Sequence, residues 1–448
     1  MCGIAGQVNT DRRPVEPRLI AAMGDSLRHR GPDDHGVYVK GHVGLAHQRL
    51  SVLDLSPAGH QPMSNENGTI WIVFNGEIYN YRELRDGLTP RRTFRSRTDT
   101  EVILGLYEEH GLRCVPMLGG MFAFAIWDER AQRLVLARDR LGKKPLYYAV
   151  TDRGLVFASE LKALLVGVPT PATDPLALHH YLTFQYVPAP LTIFQGIRKL
   201  RPGHVLVYEN GKVSESAYWS LQYTDKRSGR TEAECLEEFR SLLTDAVRQR
   251  LESDVPLGAF LSGGVDSSSV VALMSGLMAQ PVKTFSIGFK EEAFNELPHA
   301  GTVARLFNTD HHEFVVEPSA VDILPTLVRV YDEPYADSSA IPTYFVSQLS
   351  RQHVTVVLNG DGGEQLLAGY PPYDVTTFDR LASRYLPDGA RERLGGLLAR
   401  VPEGLPGAGL LRHRLARAIA PFSRTYLGRI CYFYPTLFIE RKLYLYPN

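Results

Sequence analysis

The chain changes texture near Thr231, and no single fold class accommodates both sides of that change. On the N-terminal side, short runs rich in aromatic and β-branched residues follow one another: TIWIVFNGEIYN, MFAFAIWDE, RLVLARDR, PLYYAV, GLVFASE and GHVLVYENG. Turn residues such as Asn-Gly separate them, which is the pattern of packed antiparallel sheets. EPRLIAAMGDSLRHR and DTEVILGLYEEHG carry apolar residues at three- and four-residue spacing and predict helices among those strands. On the C-terminal side, helix and strand alternate through TEAECLEEFRSLLTDAVRQRL, VPLGAFL, SSSVVALMSGLM, VKTFSIGF, AGTVARLF and HVTVVLNG. That alternation predicts an α/β doubly wound parallel sheet. Polar, turn-rich SLQYTDKRSGR lies between, so domains are expected at 2–211 and 232–448 around a linker at 212–231. The stretch from LGGLLARVPEG onward reads as helical with a basic, solvated face.

Charge and cysteine usage remove several classes of function. Lys plus Arg equals Asp plus Glu at 49 each, which leaves no electrostatic footprint for nucleic acid or an anionic membrane. Cys2, Cys114, Cys235 and Cys431 are far apart with no CxxC pair, and no signal-peptide or membrane-span pattern is present. Reduced thiols and a cytoplasmic location are therefore expected. His311 and His312 are adjacent in a predicted strand and point to opposite faces, so they do not read as a metal pair.

The most specific chemical signal is LGAFLSGGVDSSSVVALM. An apolar strand ends at Leu261, Ser262-Gly263-Gly264-Val265-Asp266 form a loop, and Ser267 and Ser268 open a helix. Glycines let backbone N–H groups approach an anion, hydroxyls add donors, and the helix N-terminus adds its positive end. This is a phosphate cradle, with Asp266 in place of the lysine of kinase-like loops and suited to Mg2+. Two further strands end near Ile287 and near Asn359-Gly360, and loops at the carboxyl ends of one parallel sheet converge. Asp361 and Glu364 offer additional carboxylates there.

The first half offers a different chemistry. Removal of Met1 gives Cys2 a free α-amine beside its thiol, so nucleophile and base sit on one residue. Arg49 could clamp an α-carboxylate, and Glu77 and Asp99 an α-ammonium. Asn75 and the Gly76 N–H could receive an oxyanion. Taken singly, each of these has an ordinary reading, as a surface Arg, a hairpin Asn-Gly or a helix cap.

Together with RHRGPDD, HQRLSVLDLS, SRTDTE, GMFAFAIWD and ARDRLGKKPLYY, the opening MCGIAG resembles the class II glutamine amidotransferase domain, an N-terminal-nucleophile hydrolase. SGGVDSS, DEPYADSSAIPTY and GDGG resemble the pyrophosphatase-loop synthetase domain, and the order resembles the glutamine-hydrolysing asparagine synthetase family. The resemblance implies an αββα sandwich, then an ATP pyrophosphatase domain. It also implies ATP-dependent transfer of glutamine amide nitrogen to aspartate, giving asparagine, glutamate, AMP and pyrophosphate. It assigns catalysis to Cys2, Asn75 and Gly76, and glutamine contacts to Arg49, Leu50, Ser51, Val52, Leu53, Asn75, Gly76, Glu77 and Asp99. ATP contacts fall on Leu261, Ser262, Gly263, Gly264, Val265, Asp266, Ser267, Ser268, Ile287, Asn359 and Gly360, with Mg2+ on Asp266 and Glu364. A homodimer is implied as well.

FQYVPAPLTIFQGIRKLRPGH resembles members that act on exopolysaccharide precursors, so a different carboxylate acceptor is the alternative, and a glutaminase-only or nucleotide-binding regulatory protein is another. Similar proteins read Ser-Gly-Asp/Glu-Gly-Gly/Ser-Asp-Glu where this chain has Asn359-Gly360-Asp361-Gly362-Gly363-Glu364-Gln365. They also continue well past the position of Asn448, so a C-terminally truncated synthetase half is expected.

Overall fold

The structure, a computed structural model, describes residues 1–367 except 90–91, 170, 223–228, 290–294 and 317–319, together with residue 369. The helical reading from LGGLLAR onward lies outside the described residues.

The N-terminal half is built on two six-stranded antiparallel sheets. In spatial order the first holds β10 (Ile197–Lys199), β8 (Tyr147–Thr151), β9 (Gly154–Ala158), β1 (Gly3–Asn9), β3 (Val43–Arg49) and β2 (Asp34–Lys40). The second holds β12 (Lys212–Ala217), β11 (His204–Glu209), β7 (Arg133–Arg138), β6 (Gly120–Asp128), β5 (Ile70–Ile78) and β4 (Met63–Ser64). Ile4, Leu45, Val73, Ala125, Leu136 and Phe157 close the space between the sheets. Helices α1 (Pro17–Asp25) and α4 (Leu161–Gly167) cover the outer face of the first through Ile20, Met23, Leu161 and Leu164. Helices α2 (Tyr81–Leu88) and α3 (Asp99–His110) cover the second through Tyr81, Leu88, Val102 and Ile103. The order of layers is therefore αββα. Each fully buried Phe, Leu or Ile contributes about 1.5–3 kcal/mol, so the sandwich interior carries the stability and its rim can remain polar.

Residues 212–217, read as linker from sequence, form β12 instead. Asn210 and Gly211, with φ of 51° and 75°, make a two-residue hairpin turn that returns the chain onto β11. Past α5 (Pro175–Phe184) and that edge, α6 (Glu232–Arg250) opens the second half with a reciprocal capping box between Thr231 and Glu234.

The second half is a four-stranded parallel sheet in the order β15 (Asp310–Val315), β14 (Lys283–Gly288), β13 (Leu257–Phe260), β16 (Val356–Leu358). Ala259, Leu261, Val282 and Leu358 meet α7 (Val265–Leu277) and α8 (Leu297–Leu306) on one face. On the other face Phe285 stacks on His312, and both rings lie close to His353. His353 follows α9 (Ala320–Tyr331) and α10 (Ala340–Ser350), the connection into β16, and a short α11 (Gly363–Leu367) comes after that strand. The chain thus runs outward from β13 through β14 to β15, then returns to the other side of β13. The reversal makes a switch point between β13 and β16, where ligands of open α/β sheets bind. His311 and His312 do face opposite ways, the first bonded to Thr284 Oγ1 and the second on Phe285. No group of three metal-capable side chains exists among the described residues, and no helix among them is long and apolar enough to cross a membrane.

Candidate functional site

Two sites emerge, one in each half. The first begins with register. Antiparallel pairing of β1 with β3 sets Gly3 against Gln48, so the residue before β1 falls beside the residue after it. Cys2 consequently meets the end of β3, and its sulfur accepts the Leu50 N–H at 3.4 Å. Arg49 is buried there, its guanidinium donating to the carbonyls of Leu53, Asp54 and Ser56. A Cβ on Gly59 would lie 1.9 Å from Arg49 Nη2, so only glycine leaves that room. Three of the five guanidinium hydrogens are used, and two stay available for an anion.

The second sheet supplies the opposite wall. Asn75, Gly76 and Glu77 close β5, and Asn75 is fully buried with neither side-chain polar atom bonded. An orphaned buried amide is costly, and a carbonyl or oxyanion entering the cavity would satisfy it. Thr98 caps α3 and turns Asp99 inward, where one carboxylate oxygen accepts the Ile78 N–H at 2.9 Å. Burial, reinforced by nearby Glu77, raises the Asp99 carboxyl to about 7.

These groups line one cavity of about 330 Å³, room for a free amino acid. Leu50, Val52 and Leu53 line it too, whereas Ser51 turns away with its N–H on Asp33. Burial pushes the Cys2 thiol up, against the pull of the N-terminal amine, the Leu50 N–H and Lys144. The terminal amine beside it is that of Met1, lowered to about 5, first by burial and then by Arg30 and Lys144. With Met1 removed, the amine beside the thiol would be that of Cys2 itself, so that nucleophile and base share one residue.

Lys144 was not foreseen as part of this cavity. It is buried, lines the pocket and is lowered to about 8, chiefly by burial. Arg30 was also missed; its Nε donates to the Cys2 carbonyl at 2.8 Å. Both sit in stretches quoted above, GKKPLYY and RHRGPDD, but nothing local in those stretches signals a partner so remote in sequence.

The second site lies at the switch point. Helix α7 starts at Val265, two residues earlier than expected, because extended Gly264 takes the cap position. Asp266 therefore sits in the first helical turn rather than in the loop. Gly263 has φ of 83°, and a Cβ there would lie 2.6 Å from the Ala300 N, so conformation and space both demand glycine. Ser262 and Ser267 hydroxyls bond each other at 2.8 Å and rigidify the loop, while the Ser268 hydroxyl is buried without a partner. The first N–H groups of α7 have no intrahelical acceptor, which suits this turn to an anion.

The loop after β16 passes directly over it. A Cβ on Gly360 would lie 2.7 Å from the Ser267 N, and one on Gly363 2.3 Å from an Asp266 carboxylate oxygen. Asn359 is exposed and bonded to Asp361 at 2.7 Å, Leu261 is buried, and Ile287 is half-buried near the end of adjacent β14. Asp266 and Glu364 fit Mg2+ in number and kind, since that ion commonly takes one or two carboxylates and completes its shell with phosphate and water.

A four-layer sandwich with a cysteine leading its central strand, joined to a parallel sheet with a glycine-rich loop at its switch point, defines a two-part glutamine amidotransferase. Residues 1–219 match the family described as glutamine amidotransferase domain, and residues 238–434 match asparagine synthase. Asparagine synthetase [glutamine-hydrolyzing] 1 of Bacillus subtilis is 37% identical over 440 residues, covering 96% of this chain and 67% of that protein. A putative asparagine synthetase [glutamine-hydrolyzing] 2 of Methanocaldococcus jannaschii is 37% identical over 393 residues, 83% of this chain and 76% of the relative. The chain belongs to the glutamine-hydrolysing asparagine synthetase family.

Proposed function

We propose that the protein moves the side-chain nitrogen of glutamine to aspartate at the expense of ATP, giving asparagine, glutamate, AMP and pyrophosphate. One observation carries this reading. Thr355, Val356 and Val357 form part of the wall of the Cys2 cavity, and the same strand ends at Leu358, just before Asn359 and Gly360 at the phosphate loop. A single strand touches both sites, so nitrogen freed at one has a short way to the other.

Cys2, with Met1 removed, attacks the glutamine amide carbon, and its amine takes the thiol proton. Asn75 Nδ2 and the Gly76 N–H receive the oxyanion. The amine returns the proton to the leaving nitrogen, ammonia departs, and water hydrolyses the thioester to glutamate. Arg49 holds the substrate carboxylate, and Asp99 with Glu77 its ammonium. In the second site the aspartate β-carboxylate attacks the α-phosphorus of ATP and expels pyrophosphate, and ammonia displaces AMP from the acyl-adenylate. The N-terminal turn of α7 cradles the departing pyrophosphate. Mg2+, when held by Asp266 and Glu364, supplies charge neutralisation for the phosphates.

Incubation with aspartate, glutamine and ATP should yield asparagine and glutamate in equal amounts. Glutamate without asparagine would overturn the proposal. The Asp99 carboxyl, raised to about 7, adds a pH signature. Only its ionised form pairs with the substrate ammonium, so KM for glutamine should fall roughly ten-fold as the pH rises from about 6 to about 8. Asp99→Asn should flatten that dependence, and a KM that is flat or rising in the unaltered protein would contradict the assignment.

A further inference from the structure

Two acids of the DEPYADSS stretch, Asp332 and Glu333, turn away from the phosphate loop and into the first half. Glu333 pairs with Lys199 and accepts the Ile193 N–H at 3.4 Å. Asp332 lies just past the end of α9 with φ of 63°, and both of its oxygens are committed to Lys162. Oδ1 is 3.0 Å from Lys162 Nζ, and Oδ2 accepts the Lys162 N–H at 2.9 Å.

The contacts continue inward. Lys162 Nζ also bonds Glu160, which is 2.9 Å from His29 Nε2 and 2.6 Å from Arg30 Nη1. Arg30 Nε then donates to the Cys2 carbonyl at 2.8 Å. Charges alternate along this line, from Asp332 through Lys162 and Glu160 to Arg30. The Asp332, Glu160 and Arg30 side chains are exposed by only 9%, 11% and 9% and that of Lys162 by 23%, so the line is partly shielded from solvent screening. Burial alone would raise Glu160, yet His29, Arg30 and Lys162 together hold it down to about 2, so it stays ionised across the working range.

From this geometry we infer that Asp332, a residue of the synthetase half, is a positioning residue for Cys2. Asp332 anchors the Lys162 backbone and ammonium, Lys162 in turn holds Glu160 Oε2, and Oε1 is left to fix Arg30, which fixes the Cys2 carbonyl and with it the direction of the thiol. Without Asp332, Lys162 loses its anchor, Glu160 loses the support of its Oε2, and Arg30 loosens. The glutamine-holding groups Arg49 and Asp99 are not on the line, so the turnover step should suffer and substrate binding should not. The inference rests on Cys2 being the nucleophile.

The test is glutamine hydrolysis by the full chain. Asp332→Asn should lower kcat about ten-fold with KM within about two-fold, and Asp332→Glu should restore part of the loss. Lys162→Met should show the same split, and the double variant should be no worse than the poorer single one, as expected for members of one line. Glu333→Gln, which breaks the neighbouring clamp but not the line to Cys2, should leave kcat within about two-fold. Wild-type kcat in Asp332→Asn, additive losses in the double variant, or an equal loss in Glu333→Gln would each overturn the inference. Activity surviving in Cys2→Ala would instead sink the reading on which it rests.

Discussion

Replacing Cys2 with alanine is expected to lower glutamine hydrolysis by a factor of about 10⁴ or more while leaving asparagine formation from free ammonia near its original rate. The thiol is the attacking atom in the proposed mechanism, and neither of the other two cysteines among the described residues can substitute for it. Cys114 is fully buried in the sandwich core, and Cys235 is exposed on α6, far along the chain from the cavity. Folding should be unaffected, since Cys2 precedes the first strand and its sulfur makes only long contacts with Leu50. Glutamate release from glutamine and asparagine formation from ammonium, measured side by side, separate the two outcomes. Equal hydrolysis by both proteins would remove Cys2 from the mechanism.

Asp266→Asn should give the mirror image: asparagine synthesis reduced by about a hundred-fold or more from either nitrogen source, with glutamine hydrolysis retained. Asp266 lies in the first turn of α7, where losing a carboxylate costs the helix only about 0.3–1 kcal/mol. The loss should therefore reflect phosphate and metal handling rather than unfolding. ATP–pyrophosphate exchange in the presence of aspartate checks the adenylation step directly. Undiminished exchange in this variant would displace Asp266 from its assigned role.

What sequence made legible follows from how local each signal is. The pairing of Cys2 with Arg49 could be suspected because each motif is compact, and a one-to-one antiparallel register then delivers both to one rim. The phosphate loop was readable for the same reason: strand, glycines, aspartate and helix are contiguous. Errors arose where backbone geometry decides a boundary. Gly264 in an extended conformation moved the start of α7 to Val265, and the Asn210-Gly211 hairpin turned part of an expected linker into β12. Ser51 was grouped with its neighbours, but its N–H is bonded to Asp33 and it does not line the cavity. Lys144, Glu160 and Arg30 could not be assigned at all. Arg30 and Glu160 are 130 residues apart, and only closure of the first sheet, with β1 between β3 and β9, brings them together.

The double contact of β16 is likewise a property of the fold rather than of any motif. Nothing in HVTVVLNG states that the middle of that strand borders the cysteine cavity while its end reaches the nucleotide loop. Placement of β16 beside β13 at the switch point produces both contacts at once.

That double contact is best tested with isotope. Glutamine labelled with ¹⁵N in its side-chain amide, supplied with aspartate, ATP and an excess of unlabelled ammonium, should give asparagine whose amide carries mostly ¹⁵N, as the proposed transfer beside β16 requires. Asparagine carrying the isotope ratio of the bulk ammonium would contradict the account.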